Sequence, residues 1–290
     1  MLIRLGYDIE LELSKPMMVV GLLSVHPSRT ADLLEPDEVH ISPNCAHDEY
    51  FDSFGNRCTR IFAEQGKLRM YSSTLIQDSG KPDEVNWAAE QIAPEKLPTD
   101  VLQFLLASRY CEVDKLSDLA WSMFGSMAPG WGMVQAICDW VQSHITFDYN
   151  SARSTKSALD VYSERRGVCR DFQHLAVSMC RALHIPARYV TGYLGDIGVT
   201  STLPMDFSAW FEVYLSGRWW AFDARNNVPR IGRVLMATGR DAADVAITTS
   251  FGLSWLSKFT VVSDEVVENA VENAEPSGAQ APYLEMHGAA

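Results

Sequence analysis

Apolar and polar residues alternate near the start of the chain: between Leu2 and Leu13, positions Ile9, Leu11 and Leu13 fall on one side and Asp8, Glu10 and Glu12 on the other. A period of two with one apolar face is what a half-buried strand requires. Strand-like runs follow at Met17–His26, Asn56–Glu64 and Lys67–Leu75, separated by turn formers in Asp52-Ser53-Phe54-Gly55-Asn56 and Gln65-Gly66. Residues 1–95 therefore predict a small antiparallel β-sandwich. The Pro94 to Pro98 segment ends it, with Thr99 or Asp100 as a helix N-cap, and helical periodicity covers 100–109, 114–125 and 131–146.

A further helix is predicted from Gly167-Val168-Cys169, because Phe172, Leu175, Ala176, Met179, Cys180 and Leu183 recur at three- and four-residue spacing. At about 100° per residue Cys169 shares a face with Phe172, Ala176 and Cys180, so its sulfur points into the protein from the first turn. The helix dipole there favours thiolate, with an expected pKa below the roughly 8.5 of a free cysteine. Unpaired N–H groups at the same end can hold an oxyanion. Helix position by itself favours the plainer reading, an inert core cysteine.

Ser216-Gly217 lies between two apolar-aromatic runs and predicts a type I′ hairpin. Pairing Leu215 with Arg218 sets Trp210 opposite Asp223 and Ser208 opposite Arg225, so that Ser208, Trp210 and Asp223 share one face. Ser208 and Asp223 become diagonal neighbours with Cα atoms about 7–8 Å apart. An imidazole at 208 could span from that carboxylate to a cysteine sulfur, but a serine hydroxyl is too short and holds no proton near neutral pH. Of the seven histidines, none lies between residues 185 and 286. His174 projects well away from Cys169 round the helix, His144 ends the preceding helix, and His184 is expected to be exposed.

Gly-Val-Cys-Arg-Asp-Phe at 167–172, then His174-Leu175 and Arg181 to Val190, resembles the nucleophile helix and next strand of transglutaminase-like proteins. The runs Phe207–Leu215 and Arg218–Asp223, with Asp223-Ala224-Arg225, are similar to that family as well, which normally reads His-Ala-Trp where this chain has Ser208-Ala209-Trp210. The region before residue 95, including Phe54-Gly55-Asn56, is similar to the β-rich N-terminal region of bacterial members. The resemblance implies an α+β papain-like core at 96–262, with the cysteine helix packed on an antiparallel sheet of 187–194, 207–215 and 218–224. It implies Cys169 as nucleophile, Ser208 in the histidine position and Asp223 as the triad carboxylate, with Trp210 and Arg170 as candidates for the substrate cleft. The implied chemistry is attack of Cys169 on a peptide or glutamine-like amide through a thioester, hydrolysis rather than cross-linking, weakened by the missing base. A non-catalytic peptide- or protein-binding member of the same fold is the other expectation.

Composition narrows the partners. Hydrophobic residues make up 47% and charged residues 21%, as in a folded globular chain. A net charge of −13 with no basic patch repels nucleic acid. No apolar run reaches membrane-spanning length and Met1 to Glu12 is no secretory signal, so a cytoplasmic protein away from membranes is expected. The six cysteines suit reduced thiols. His40, Cys45, His47 and Cys58 lack zinc-site spacing, and no metal or organic cofactor is expected. Residues 263–290, acidic and rich in small residues, predict a poorly ordered tail. Nothing in the sequence sets an oligomeric state.

Overall fold

In a computed structural model of the chain, the described residues are 1–200 and 204–266. The first six strands are β1 (Leu2–Leu13), β2 (Met17–Gly21), β3 (His40–Ser42), β4 (Ala46–Phe51), β5 (Arg57–Ala63) and β6 (Gly66–Gln77). Helices α1 (Val113–Phe124) and α2 (Trp131–His144) follow, then β7 (Thr146–Phe147), α3 (Ala158–Glu164), β8 (Arg166–Gly167) and α4 (Cys169–Ala182). The chain continues through β9 (Ala187–Leu194), β10 (Ser208–Leu215), β11 (Arg218–Phe222), β12 (Arg233–Gly239), β13 (Thr248–Ser250) and β14 (Ser254–Glu265).

Two antiparallel sheets, β14-β1-β6-β3 and β13-β2-β5-β4, form a sandwich. Their apolar faces close over Ile3, Leu5, Ile9, Val19, Ile61 and Met70, all at or near zero exposure. Each such side chain contributes about 1.5–3 kcal/mol through burial. Assigning 248–262 to the core domain and 263–265 to the tail needs correction. β13 pairs with β2, and β14 pairs with β1 along its whole length, from Ile3 opposite Glu265 to Leu13 opposite Ser254. Without β14, β1 would be a long sheet edge with unpaired backbone groups, and the C-terminal strand satisfies them. The rest of the expected tail, 267–290 with His287, lies outside the described residues.

The third sheet, β11-β10-β9-β12, carries the helical layer. The expected hairpin is present: Ser216 and Gly217 have φ of 49° and 85°, and Leu215 opposite Arg218 runs in register to Phe211 opposite Phe222. α1, α2 and α4 lie near the expected spans. The helix expected at 100–109 is instead one 3-10 turn, Leu102–Leu105, without a cap from Thr99 or Asp100. The backbone after it is taken by tertiary partners: Arg181 donates to the Leu106 carbonyl at 3.0 Å and Asp241 accepts the Tyr110 N–H at 2.8 Å. α3 was not legible from periodicity, although Ser157 and Asp160 form a capping box at its start.

α4 is buried all round from Asp171 to Ala182, packed between α1, α2, α3 and the sheet. Most of its polar side chains are buried with partners, the Nδ1 of His174 being left without one. Gln173 donates to the Ala209 carbonyl, the Ser178 hydroxyl to the His174 carbonyl, and Arg181 to the Ala187 carbonyl. Sandwich and core also share one apolar cluster, in which Tyr193, Phe207, Val234 and Met236 join the strands of the sandwich. Asn56 adds a polar clamp: its Nδ2 donates to the Thr238 carbonyl and its Oδ1 accepts the Thr238 N–H, both at 2.8 Å. None of the helices in the described residues is long and apolar enough to cross a membrane.

Candidate active site

Local sequence fixes where α4 begins. A Cβ on Gly167 would lie 2.6 Å from the Cβ of Asp171, so only glycine lets Asp171 fold back over the helix entrance. There Asp171 Oδ2 accepts the Val168 N–H at 3.0 Å, and Cys169 becomes the first helical residue. Among the described hydrogen bonds, the N–H groups of Cys169 and Arg170 reach no protein acceptor. Cys169 is half-buried and packs against a small cluster that includes Tyr189 and Ala209. Its remaining face opens on a cavity of about 300 Å³ whose walls include Tyr149, Asp206, Ser208, Arg225 and Asn226.

Ser208 lines the same cavity as the thiol. It is the first residue of β10 and lies opposite Gly192 of β9. Asp223 does not line that cavity. It borders a smaller one, of about 50 Å³, beside Trp131 and Arg233. Its Oδ1 accepts from Gln173 Nε2 at 3.1 Å and from the N–H groups of Arg225 and Asn226 at 3.0 Å each. Its Oδ2 accepts from Asn226 Nδ2 at 2.8 Å and Arg233 Nη2 at 3.0 Å. Burial pushes the Asp223 carboxyl up, but the Arg233 guanidinium and the Asn226 hydrogen bonds outweigh it and hold it below the usual aspartate value. Asn226 is thus the side chain that touches Asp223 while lining the cavity of Cys169. The register reading named Ser208, Trp210, Asp223 and Arg225; Asn226 lies beyond the paired strands and was not named.

The expected cleft residues lie elsewhere. Trp210 is buried, its indole lying over Gly192, where a Cβ would meet the ring at 2.5 Å, and under the Arg233 guanidinium at 5.2 Å. Arg170 turns to the Asp171 carboxylate at 3.2 Å, the Arg153 carbonyl at 2.6 Å and the Tyr110 ring. Neither lines the cavity of Cys169. Two cations do: Arg230, 3.8 Å from Asp196, and Arg225, stacked on Phe147 at 4.1 Å and without a carboxylate within ion-pair distance among the described residues.

Electrostatics also revise the thiol. Burial pushes Cys169 up to about 11; Arg225 pulls it down, and Asp206 and Asp223 push it further up. The helix end does not overcome desolvation here. Asp206, half-buried, is raised by burial to about 6, against the Phe207 N–H and Arg225, which lower it.

No histidine lines the cavity among the described residues. His174 is fully buried between Tyr110 and Tyr189, its Nε2 accepts the Ala242 N–H at 3.1 Å, and burial holds it well below the usual histidine value. His144 closes α2 and His184 is exposed, as expected. His40 stacks on Tyr71, and His47 hydrogen-bonds the Cys45 carbonyl. Among the described residues no three His, Cys, Asp or Glu side chains are grouped to hold a metal ion.

Comparison with known proteins gives the site a context. Residues 118–224, from α1 through the hairpin to just past Asp223, match the family model of the transglutaminase-like superfamily. Over 117 residues the chain is 35% identical to an uncharacterized protein of Mycobacterium leprae, covering 39% of this chain and 42% of that one. An uncharacterized protein of Mycobacterium tuberculosis is 34% identical over 116 residues, covering 34% of this chain and 35% of its own. The chain thus matches less than half the length of these curated relatives. A crystal structure from Cytophaga hutchinsonii, described as that of a candidate cysteine protease, has a TM-score of 0.80 at 32% identity, over 98% of this chain and 94% of that one. The cysteine helix, the hairpin and the sandwich all fall within that likeness, and the chain belongs to the transglutaminase-like superfamily.

Proposed function

We propose that the protein is a slow cysteine amidohydrolase that acts on a peptide, protein or glutamine-like amide through a thioester on Cys169. The observation that carries this reading is the thiol at the first turn of α4, opening on a cavity of about 300 Å³. On this reading the helix-end N–H of Cys169 would stabilise the oxyanion of a tetrahedral intermediate. The reaction is expected to be slow, because Ser208 cannot replace an imidazole and the raised thiol leaves little thiolate at neutral pH. General acid–base help is typically worth about 10²–10⁴-fold.

The test is acyl-enzyme trapping. Incubation with activated esters and glutamine-containing peptides should add the acyl mass to Cys169, with hydrolysis above the Cys169→Ala control. A wild-type protein that gains no acyl mass and hydrolyses no faster than C169A overturns the reading. The second reading, a peptide- or protein-binding member without turnover, is favoured by one observation: all the polar contacts of the Asp223 carboxylate are structural. Calorimetric peptide binding that is unchanged in C169A would support it.

A further inference from the structure

Two carboxylates influence the Cys169 thiol, and only one shares its cavity. Asp206 lines it with Cys169, whereas Asp223 borders the smaller neighbouring one. Asp223 is also occupied by Gln173, Asn226 and Arg233. Asp206 has no ion-pair partner among the described residues. It stands two residues before Ser208, where the chain enters β10.

We propose that Asp206 is the residue that takes the thiol proton of Cys169, the role that Ser208 cannot fill. The proposal rests on the acyl-transfer reading and assigns its missing base. As Sγ bonds to the amide carbon, the S–H proton passes to an Asp206 oxygen. The protonated carboxyl then gives that proton to the amide nitrogen as the C–N bond breaks, leaving a thioester on Cys169 and a free amine. Water adds to the thioester with one of its protons going to Asp206. The C–S bond breaks, and the same proton returns to sulfur. Carboxylate and thiol are restored, and the sum is amide plus water giving acid plus amine.

The surroundings suit this role. Burial raises Asp206 to about 6, so near neutral pH it is ionised yet more basic than an ordinary aspartate. Cys169 from α4, Tyr149 from the turn after β7 and Arg225 from the segment after β11 line the same cavity as Asp206. Arg225 lowers both the thiol and the carboxyl, which limits the charge cost when the proton moves between them. Asp196 and Arg230, which also line the cavity, lie 3.8 Å from each other.

Iodoacetamide alkylation of Cys169 against pH, read by mass spectrometry on the full chain, separates a base from a bystander and needs no amide substrate. If Asp206 accepts the proton, the wild-type profile carries a shoulder with a midpoint near 6 below the thiolate limb. In Asp206→Asn the shoulder disappears and alkylation at pH 7 slows by about tenfold, while D206E retains it. The proposal is overturned if D206N alkylates faster at pH 7 along one thiolate limb moved to lower pH, since a bystander carboxylate only raises the thiol. Where D206N labels Cys180 as fast as Cys169, the variant is unfolded and the wild-type profile decides: a shoulder near 6 supports the base and its absence rejects it. A failed proton role leaves the trapping result on C169A untouched, so the two readings fail separately.

Discussion

Asn226 donates its Nδ2–H to Asp223 Oδ2 at 2.8 Å and at the same time lines the cavity into which Cys169 opens. An amide therefore holds the carboxylate oxygen that a triad would direct at an imidazole. Asn226 and Arg233 together leave that oxygen little capacity to orient a new ring at 208. Ser208→His is accordingly expected to raise amide hydrolysis only toward the lower end of the range for general acid–base catalysis, about 10²-fold or less. Steady-state rates of S208H against wild type and C169A check this; a gain of about 10⁴-fold would mean Asp223 readily exchanges its partners.

Cys169 should react with iodoacetamide faster than Cys180, because it reaches a cavity while Cys180 has zero exposure. The thiolate limb of its rate should keep climbing toward pH 11, since burial raises the thiol to about that value. Peptide-level labelling from pH 5 to pH 11 measures both, and equal rates at the two cysteines would count against an open cavity.

Ionisation of Asp206 should appear in stability. Its carboxyl is raised in the fold from 3.8 to about 6, so the native state binds more protons than the unfolded chain between those values. Its contribution is fully present below the unfolded value and is lost as pH rises through about 6. D206N removes this term. Denaturant unfolding should show D206N gaining on wild type as pH climbs from 4 to 7, and a constant difference would argue that Asp206 is solvated in the fold.

Asn56→Ala leaves the Thr238 N–H and carbonyl without their buried partners. A cost on the order of 2–3 kcal/mol is expected in urea unfolding. Because the clamp ties the sandwich to β12, the loss should appear as one cooperative transition at lower denaturant, not as a separate early unfolding of the sandwich.

Some of the site was legible from local rules alone. Ser216-Gly217 sets the hairpin, and the apolar spacing from Phe172 to Leu183 sets a helix beginning near Cys169. Trp210 and Arg170 were misread because register and adjacency give direction, not the identity of what fills the space. Gly192 takes the indole, and Asp171 takes the guanidinium.

Short-range chemistry in the chain thus determined which residue heads the helix, which strands pair through a two-residue turn, and that no imidazole follows within the hairpin. Tertiary structure decided what those groups became. β14 meets β1 across almost the whole described chain, a pairing no local period encodes. Arg233 and Asn226 claim Asp223, while burial raises the thiol that the helix end was expected to lower. Desolvation and partner choice depend on everything packed around a group, and so they exist only once the fold has closed.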